Sequence, residues 1–389
     1  VRKSSNRLRI TVQLIDVPSD EHLWSQIYDR QLEDVFSIQS DVAQRVAGAL
    51  EVHLGARDKE KVEKRPTDDL EAYTLYLKGT FHRGEMTEQG YLKAIRFFDE
   101  ALERDPRFAL AYSGIADCYA RMAGDGMISP SEGYSKAKEY AEKALALDDV
   151  AEAHVTLGAV MGEYFFDQKA AEREFKSALN LNPNYGKVCH SYGVHLACMG
   201  RLDEAITEIE RAYELNPLAL DVNNCAAAIF CDANQVDKSV LFCEKMFRID
   251  ENFIPAHQRL AEAYLQQSRF DDAIGVLEKA AIISKGQAMV RAKLGFAYAL
   301  AGKLEQSRKI LAELAEESVK RYISPVALAL VHCGLGEKEK AISYLEKARE
   351  EHAGGLLAVK VGQLWASLRT EPAFNQLVSR IGLNTPPNS

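Results

Sequence analysis

Residues 186–221 read GKVCHSYGVHLACMGRLDEAITEIERAYELNPLALD. In the first half, Val188, Tyr192, Gly193 and Leu196 place apolar or small residues three and four apart, so this stretch is a helix with one packed face. Gly200 and Arg201 break it. Asp203 and Glu204 then open a second helix, where carboxylates suit the positive end of the dipole. Ala205, Ile206, Ile209, Ala212 and Leu215 form the second apolar stripe, and Asn216-Pro217 stops it. The unit is an antiparallel helical hairpin.

The hairpin recurs. Ala144, Ala178, Ala212, Met246, Ala280, Leu314 and Ala348 stand 34 residues apart, and Ala101 belongs to the series at a spacing of 43. Small residues recur in the first helices (Gly79, Ala116, Gly158, Gly193, Ala227, Ala261, Gly295, Ala329). They recur in the second helices as well (Ala94, Ala137, Ala171, Ala205, Ser239, Ala273, Ser307, Ala341). Larger side chains there would hold neighbouring helices apart. One hairpin cannot bury its own apolar faces, so a fixed period of this length predicts a solenoid in which stacking supplies the core. The longer interval falls between Arg121 and Tyr134. Gly124-Asp125-Gly126 reads as a turn, and Ser129-Pro130-Ser131-Glu132 as a capping box with proline at the first helical position. Most of the extra residues are therefore expected to lengthen the second helix.

These residues resemble the tetratricopeptide repeat family over about residues 72–352. Leu294, Gly295, Tyr298 and Gly302 match the first half of its pattern; Ala178 with Pro183 and Ala212 with Pro217 match its end. The closing proline survives only as Pro106, Pro183 and Pro217, and Lys78 stands where an apolar residue is usual. The resemblance implies an all-α fold, a right-handed superhelix of about eight hairpins over residues 70–352. Residues 353–384 follow as a C-terminal cap with Trp365 and Phe374 as core fillers, and 385–389 as a disordered tail.

Ahead of the array, Leu8, Ile10, Val12 and Leu14 alternate with Arg9, Thr11 and Gln13, which is strand spacing. Val17-Pro18-Ser19-Asp20 turns the chain, His22 to Tyr28 returns as a second strand, and Val35 to Leu54 reads as an amphipathic helix. Residues 1–56, followed by a linker over 57–69, resemble the closing portion of the TolB-amino-terminal-like α/β domain of bacterial multidomain regulators. The match runs through Asn6-Arg7-Leu8-Arg9-Ile10-Thr11, His22-Leu23-Trp24 and Leu32 to Gln39. In that family a nucleotide cyclase or winged-helix DNA-binding domain often precedes such a domain. The chain starts at Val1 within a strand pattern and is read as a piece of a longer protein. Orphaned strand edges suit pairing between two copies, so residues 1–30 are a candidate homodimer contact.

Composition narrows the function. The net charge of −9 lies wholly on residues 66–389, because residues 1–65 carry 11 basic and 11 acidic side chains. Phosphate backbones call for clustered cations, so nucleic-acid binding is not expected. No apolar run approaches the roughly 18 residues of a membrane span. Seven cysteines without a C-x-x-C pair suit free thiols in the cytoplasm. No zinc-protease, phosphate-loop, dinucleotide or nucleophile-elbow motif occurs. Cys189, His190, His195 and Cys198 cannot converge on a metal from one helix, since His190 and His195 are about 140° apart. Catalytic residues, metal and cofactor are therefore expected to be absent, and the expected partner is a protein or peptide.

In the tetratricopeptide family the first helices line a concave groove. The resemblance places that groove at Lys187, His190, Asp221, Asn224, Asp232, Gln258, Glu262 and Gln266. It continues towards the C-terminus through Met289, Phe296, Leu300, Val326 and Leu330, an apolar end suited to a partner or to the cap. The clamp that holds chaperone tails fits poorly, as only Arg259 matches among its equivalents. The expected function is a noncatalytic protein–protein interaction scaffold, the regulatory part of a larger bacterial protein. The alternative is a self-association module for an upstream cyclase or DNA-binding domain.

Overall fold

The computed structural model describes residues 2–4, 7–16, 21–31, 35–49 and 65–383. The chain divides into two compact units, residues 1–77 with 100–108 and residues 78–99 with 109–389. The expected tail at 385–389, most of the linker and the helix beyond residue 49 lie outside the described residues.

In the first unit, β1 (Arg2–Ser4), β2 (Arg7–Asp16) and β3 (Glu21–Gln31) form an antiparallel sheet in that order, one strand more than the expected hairpin. The pairing sets Ile10 opposite Tyr28 and Val12 opposite Gln26, with a bulge between Leu14 and Ile15. Helix α1 (Val35–Ala49) packs on the sheet through buried Ile38, and the Tyr28 hydroxyl donates to Asp41 at 2.7 Å. Arg45 bonds the same carboxylate. The other sheet face leaves Ile15, Leu23 and Ile27 exposed. The Thr67 hydroxyl donates to Asp105, and Asp69 caps the next helix by accepting from the Glu71 and Ala72 amides.

Sixteen helices follow as eight hairpins among the described residues. They are α2 (Leu70–Arg83) with α3 (Glu88–Arg104), α4 (Ala109–Gly124) with α5 (Pro130–Leu147), α6 (Ala151–Glu163) with α7 (Gln168–Leu181), and α8 (Gly186–Cys198) with α9 (Leu202–Leu215). Then come α10 (Leu220–Asp232) with α11 (Val236–Ile249), α12 (Ile254–Gln266) with α13 (Phe270–Ile283), α14 (Ala288–Leu300) with α15 (Leu304–Lys320), and α16 (Pro325–Gly334) with α17 (Lys338–Glu350). The first hairpin contributes to both units. In the second unit the hairpins stack as a superhelix, first helix against first helix. Every anchor residue at the 34-residue spacing is fully buried, and so are both rows of alanines and serines. At Gly158 a Cβ would stand 2.8 Å from the Phe175 ring, which is why the row stays small.

The period also governs the backbone. Phe166, Gly200, Asn234, Ser268, Gly302 and Gly336, each 34 residues from the next, all have positive φ, between 54° and 82°. Each turns the chain between the two helices of its hairpin. Glycine and asparagine take that conformation readily; phenylalanine and serine do so against a steric cost. The longer second repeat is shared more evenly than the sequence suggests. Helix α5 has 18 residues with Ser129 accepting from the Glu132 amide, but α4 has also grown, to 16 residues against 13 in α6.

After α17 the chain does not stop at the last hairpin. Two 3₁₀ turns (Leu356–Val359 and Gln363–Leu368) and α18 (Pro372–Arg380) bury Trp365, Leu368, Phe374, Leu377 and Ile381. This segment then reaches back across the first helices of earlier repeats. Lys360 Nζ donates to the carbonyls of Met199 (2.7 Å) and Leu383 (2.6 Å), and Gln363 donates to the Asp232 carbonyl. Gln168 donates to the Ile381 carbonyl, and the His352 ring stacks on Phe166. Gly354 passes so close to the end of α4 that a Cβ there would stand 1.9 Å from the Gly124 carbonyl oxygen.

Candidate functional site

The residues expected to line the groove fall into three environments. Lys187, His190 and Asp221 wall a cavity of about 780 Å³, together with Arg83, Arg121, Leu218 and others. Asn224, Asp232, Glu262 and Gln266 belong to a polar ladder further along, and half-buried Gln258 lies on α12 beside it. Phe296, Val326 and Leu330 are buried in one apolar cluster with Trp365, Leu368 and Phe374, and half-buried Met289 packs against it. Of the two occupants expected for the apolar end, a partner or the cap, Phe296, Val326 and Leu330 have the cap against them. The first-helix face of the last repeats is covered by the chain's own C-terminal segment, whose apolar side chains supply the burial that the missing ninth hairpin would give. Only Leu300 of that group is exposed.

At the cavity, Asp117 on α4 is the hub. Its carboxylate is 2.8 Å from Lys187 Nζ, 3.3 Å from Arg121 Nε and 3.3 Å from Arg83 Nη1. Burial works to raise the Asp117 pKa, but Lys187, Arg121 and Arg83 outweigh it and hold the carboxyl well below the usual range. Lys187 moves the other way. Burial, with repulsion from Arg83 and Arg121, lowers it to about 8 despite Asp117. His190 is lowered to about 4, first by burial and then by Arg121 and Lys187 against the pull of Asp221. Among the described residues neither ring nitrogen of His190 has a hydrogen-bond partner, with the Asp221 carboxylate 4.0 Å from Nδ1. Asp221 lies equally far from Arg121.

In the ladder, Arg259 donates to Asn224 at 3.1 Å and to Glu262 at 2.6 Å, and Lys293 pairs with Glu262 at 2.7 Å. Burial opposes ionisation of Glu262, yet Arg259 and Lys293 bring it down to about 2. Asp232 has the opposite fate: burial and then Glu262 raise it to about 7, with Arg259 and Arg369 offsetting only part. Gln266 bridges the Cys231 thiol and Asn234. Asp117, Arg83, Arg121, Lys293 and Arg369 escaped the sequence reading. The available signal was an Asp117–Arg121 pair four apart inside an otherwise small and apolar helix, where a charge needs a partner.

Among the described residues no three of His, Cys, Asp and Glu converge as metal ligands, and the seven cysteines are free. Cys189 is instead core, and His195 packs between the rings of Phe175 and Tyr192. No described helix is long and apolar enough to cross a membrane.

Among known proteins, the family model for the tetratricopeptide repeat matches residues 264–324. The putative adenylate cyclase 3 of Rhizobium meliloti (strain 1021) is 36% identical over 116 residues, 30% of this chain and 20% of that protein. The transcriptional regulator HilA of Salmonella typhimurium (strain LT2) is 25% identical over 150 residues, 39% of this chain and 27% of the regulator. The chain thus matches under a third of the length of either relative. Among solved structures, the APC/C hetero-tetramer Cut9-Hcn1 aligns over 88% of this chain and 60% of that one, with a TM-score of 0.54 at 16% identity, a likeness of fold alone. The 34-residue period and the stacked hairpins agree with the repeat model that matches residues 264–324, and in this the chain is similar to tetratricopeptide-repeat proteins.

Proposed function

We propose that the chain is a noncatalytic protein-interaction scaffold, the regulatory repeat portion of a larger bacterial protein working in the cytoplasm. The observation that carries this reading is the division of the first-helix face. The last repeats are covered by the chain's own C-terminal segment, whereas the cavity at Lys187, His190 and Asp221 has no lining residue from it. An uncovered, partly polar groove on stacked repeats suits an extended peptide or a protein surface. The partial matches to a putative cyclase and to a transcriptional regulator support a module that serves different effectors, and the head supports the closing strands and helix of a TolB-amino-terminal-like domain.

Selection of random dodecapeptides on the intact chain tests the reading. Enriched peptides are expected to lose binding to Asp221→Lys and Asn224→Lys and to keep it with Glu210→Lys on the second-helix side. No enrichment, or equal loss in all three variants, counts against a first-helix binding face.

The self-association reading has its own observation. Strand β3 is a sheet edge, and Leu23 and Ile27 are exposed beside it. Sedimentation of the chain and of a Leu23→Glu, Ile27→Lys variant decides it: a dimer that the pair of changes converts to a monomer supports dimerisation through the head.

A further inference from the structure

The apolar core of the second unit is divided. Among the described residues one buried cluster runs from Ala151 to Ala256 and another from Ala261 to Leu383. They meet along α12, where Ala256 and Leu260 pack in the first and Ala261 and Leu265 in the second. On the second-helix side of this junction a cavity of about 350 Å³ opens, lined by Phe247, Leu260, Gly275 and Val276 among others. A Cβ on Gly275 would meet nothing within 4 Å. On the first-helix side the junction is bridged by long polar side chains, Arg259 to Asn224 and Lys293 to Glu262. An underpacked junction with flexible bridges can bend. The two halves touch again along a seam. His352 Nδ1 donates to the Tyr164 carbonyl at 2.5 Å and Lys360 Nζ to that of Met199 at 2.7 Å. Gln363 donates to the Asp232 carbonyl and Gln168 to that of Ile381, both at 3.2 Å. Gly354 lies against Gly124 and Tyr322 faces Gly126, while Phe166, Cys198 and Met199 pack across from the earlier half.

We propose that the second unit opens along this seam as two halves hinged at α12, the C-terminal segment leaving with the last repeats, and that the motion gates the first-helix face around Cys198 and Asp232. The segment stays with the last repeats because Leu356, Trp365, Leu368 and Phe374 are buried in their cluster. Its links to α6, α8 and α10 are mainly hydrogen bonds, which part at far smaller cost than a core. The proposal goes beyond the scaffold reading and does not depend on it.

Native thiols report the motion. Cys198 lies in the seam, and burial pushes its thiol up to about 12, so it reacts when the seam parts. Cys333 touches Leu364 and Ser367 of the segment and stays covered when the segment leaves with the last repeats. Cys189 and Cys243 are fully buried in the first cluster and report global unfolding. The intact chain is labelled with N-ethylmaleimide and each thiol is followed by mass spectrometry. Cys198 is expected to react ahead of Cys333, Cys189 and Cys243. Lys360→Met removes the hydrogen bonds to Met199 and Leu383 and is expected to speed Cys198 about tenfold, with the other three unchanged. Loss of the Lys360 charge alone would slow that thiol, because the ammonium favours the thiolate. His352→Gly removes the bond to Tyr164, one repeat away, at a positive φ that glycine accepts. It is expected to speed Cys198 about fivefold in the same pattern. Acceleration by Lys360→Met alone would mean local loosening, and equal acceleration of Cys198 and Cys333 a segment that peels from both halves. Acceleration of all four thiols would mean unfolding, and no acceleration of Cys198 a seam that does not open. Each of these overturns the proposal.

Discussion

Asp117 joins side chains from three repeats that are far apart in sequence. With one partner removed from a buried group of this kind, the charges that remain lose their nearest counter-charge. Asp117→Asn leaves Arg83, Arg121 and Lys187 facing one another, and we expect a loss of about 3 kcal/mol, seen as a lower thermal midpoint. Asp232 gives a prediction in the other direction. Its pKa in the folded chain, about 7, is above the ordinary carboxylate value, so its contribution is fully present at low pH and is lost as pH rises through 7. The groups facing it are Glu262, Arg259, Arg369 and the Gln363 amide. Asp232→Asn is therefore expected to flatten the fall in stability between about pH 4 and pH 7, read from thermal unfolding at several pH values. A variant with the parent's slope would show that Asp232 is ionised throughout.

At the scale of the element, the turn inside each hairpin repeats one left-handed residue. Where it is serine, as at Ser268 (φ 60°), glycine relieves a steric conflict of about 1 kcal/mol. Ser268→Gly is expected to raise the thermal midpoint. Phe166 occupies the same place but differs, because its ring packs against the C-terminal segment and a glycine would remove that contact. The hairpins themselves were legible because everything that makes them is local: apolar residues at helical spacing, acidic first turns, small residues where helices meet. Ser129 and Pro130 announced the start of α5 for the same reason. The growth of α4 was not legible, since its extra turn breaks no pattern and adds no cap. The third strand was missed because Arg2–Ser4 is too short to show an alternation.

For the whole molecule, what could not be read was the return of residues 353–383 across the repeats. Trp365 and Phe374 were legible as core residues, but nothing in their spacing says that Lys360 reaches Met199 or that Gly354 meets Gly124. Those contacts depend on how the superhelix curves, a sum of small rotations that no single repeat encodes. The same gap hid the cavity, whose wall joins Arg83 to Asp221. Two variants test the closure. Gly354→Val places a side chain against the Gly124 carbonyl and is expected to raise hydrogen exchange in residues 353–383 and at the end of α4 together. Deletion from His352 onward is expected to expose Phe296, Val326 and Leu330 and to speed exchange in α8 and α10 as well as in the last hairpins. Exchange confined to the last hairpin would show that the segment is only an end cap.

The return of the C-terminal segment also bears on how the chain is made. Repeats in an array usually consolidate on the ribosome one after another, each needing only the neighbour already present. Here the second to eighth repeats contribute surfaces that are completed by residues synthesised after all eight hairpins. Until those residues emerge, the nascent chain carries an apolar strip along its inner side. The strip closes with the arrival of residues 353–383 rather than with the folding of any one repeat.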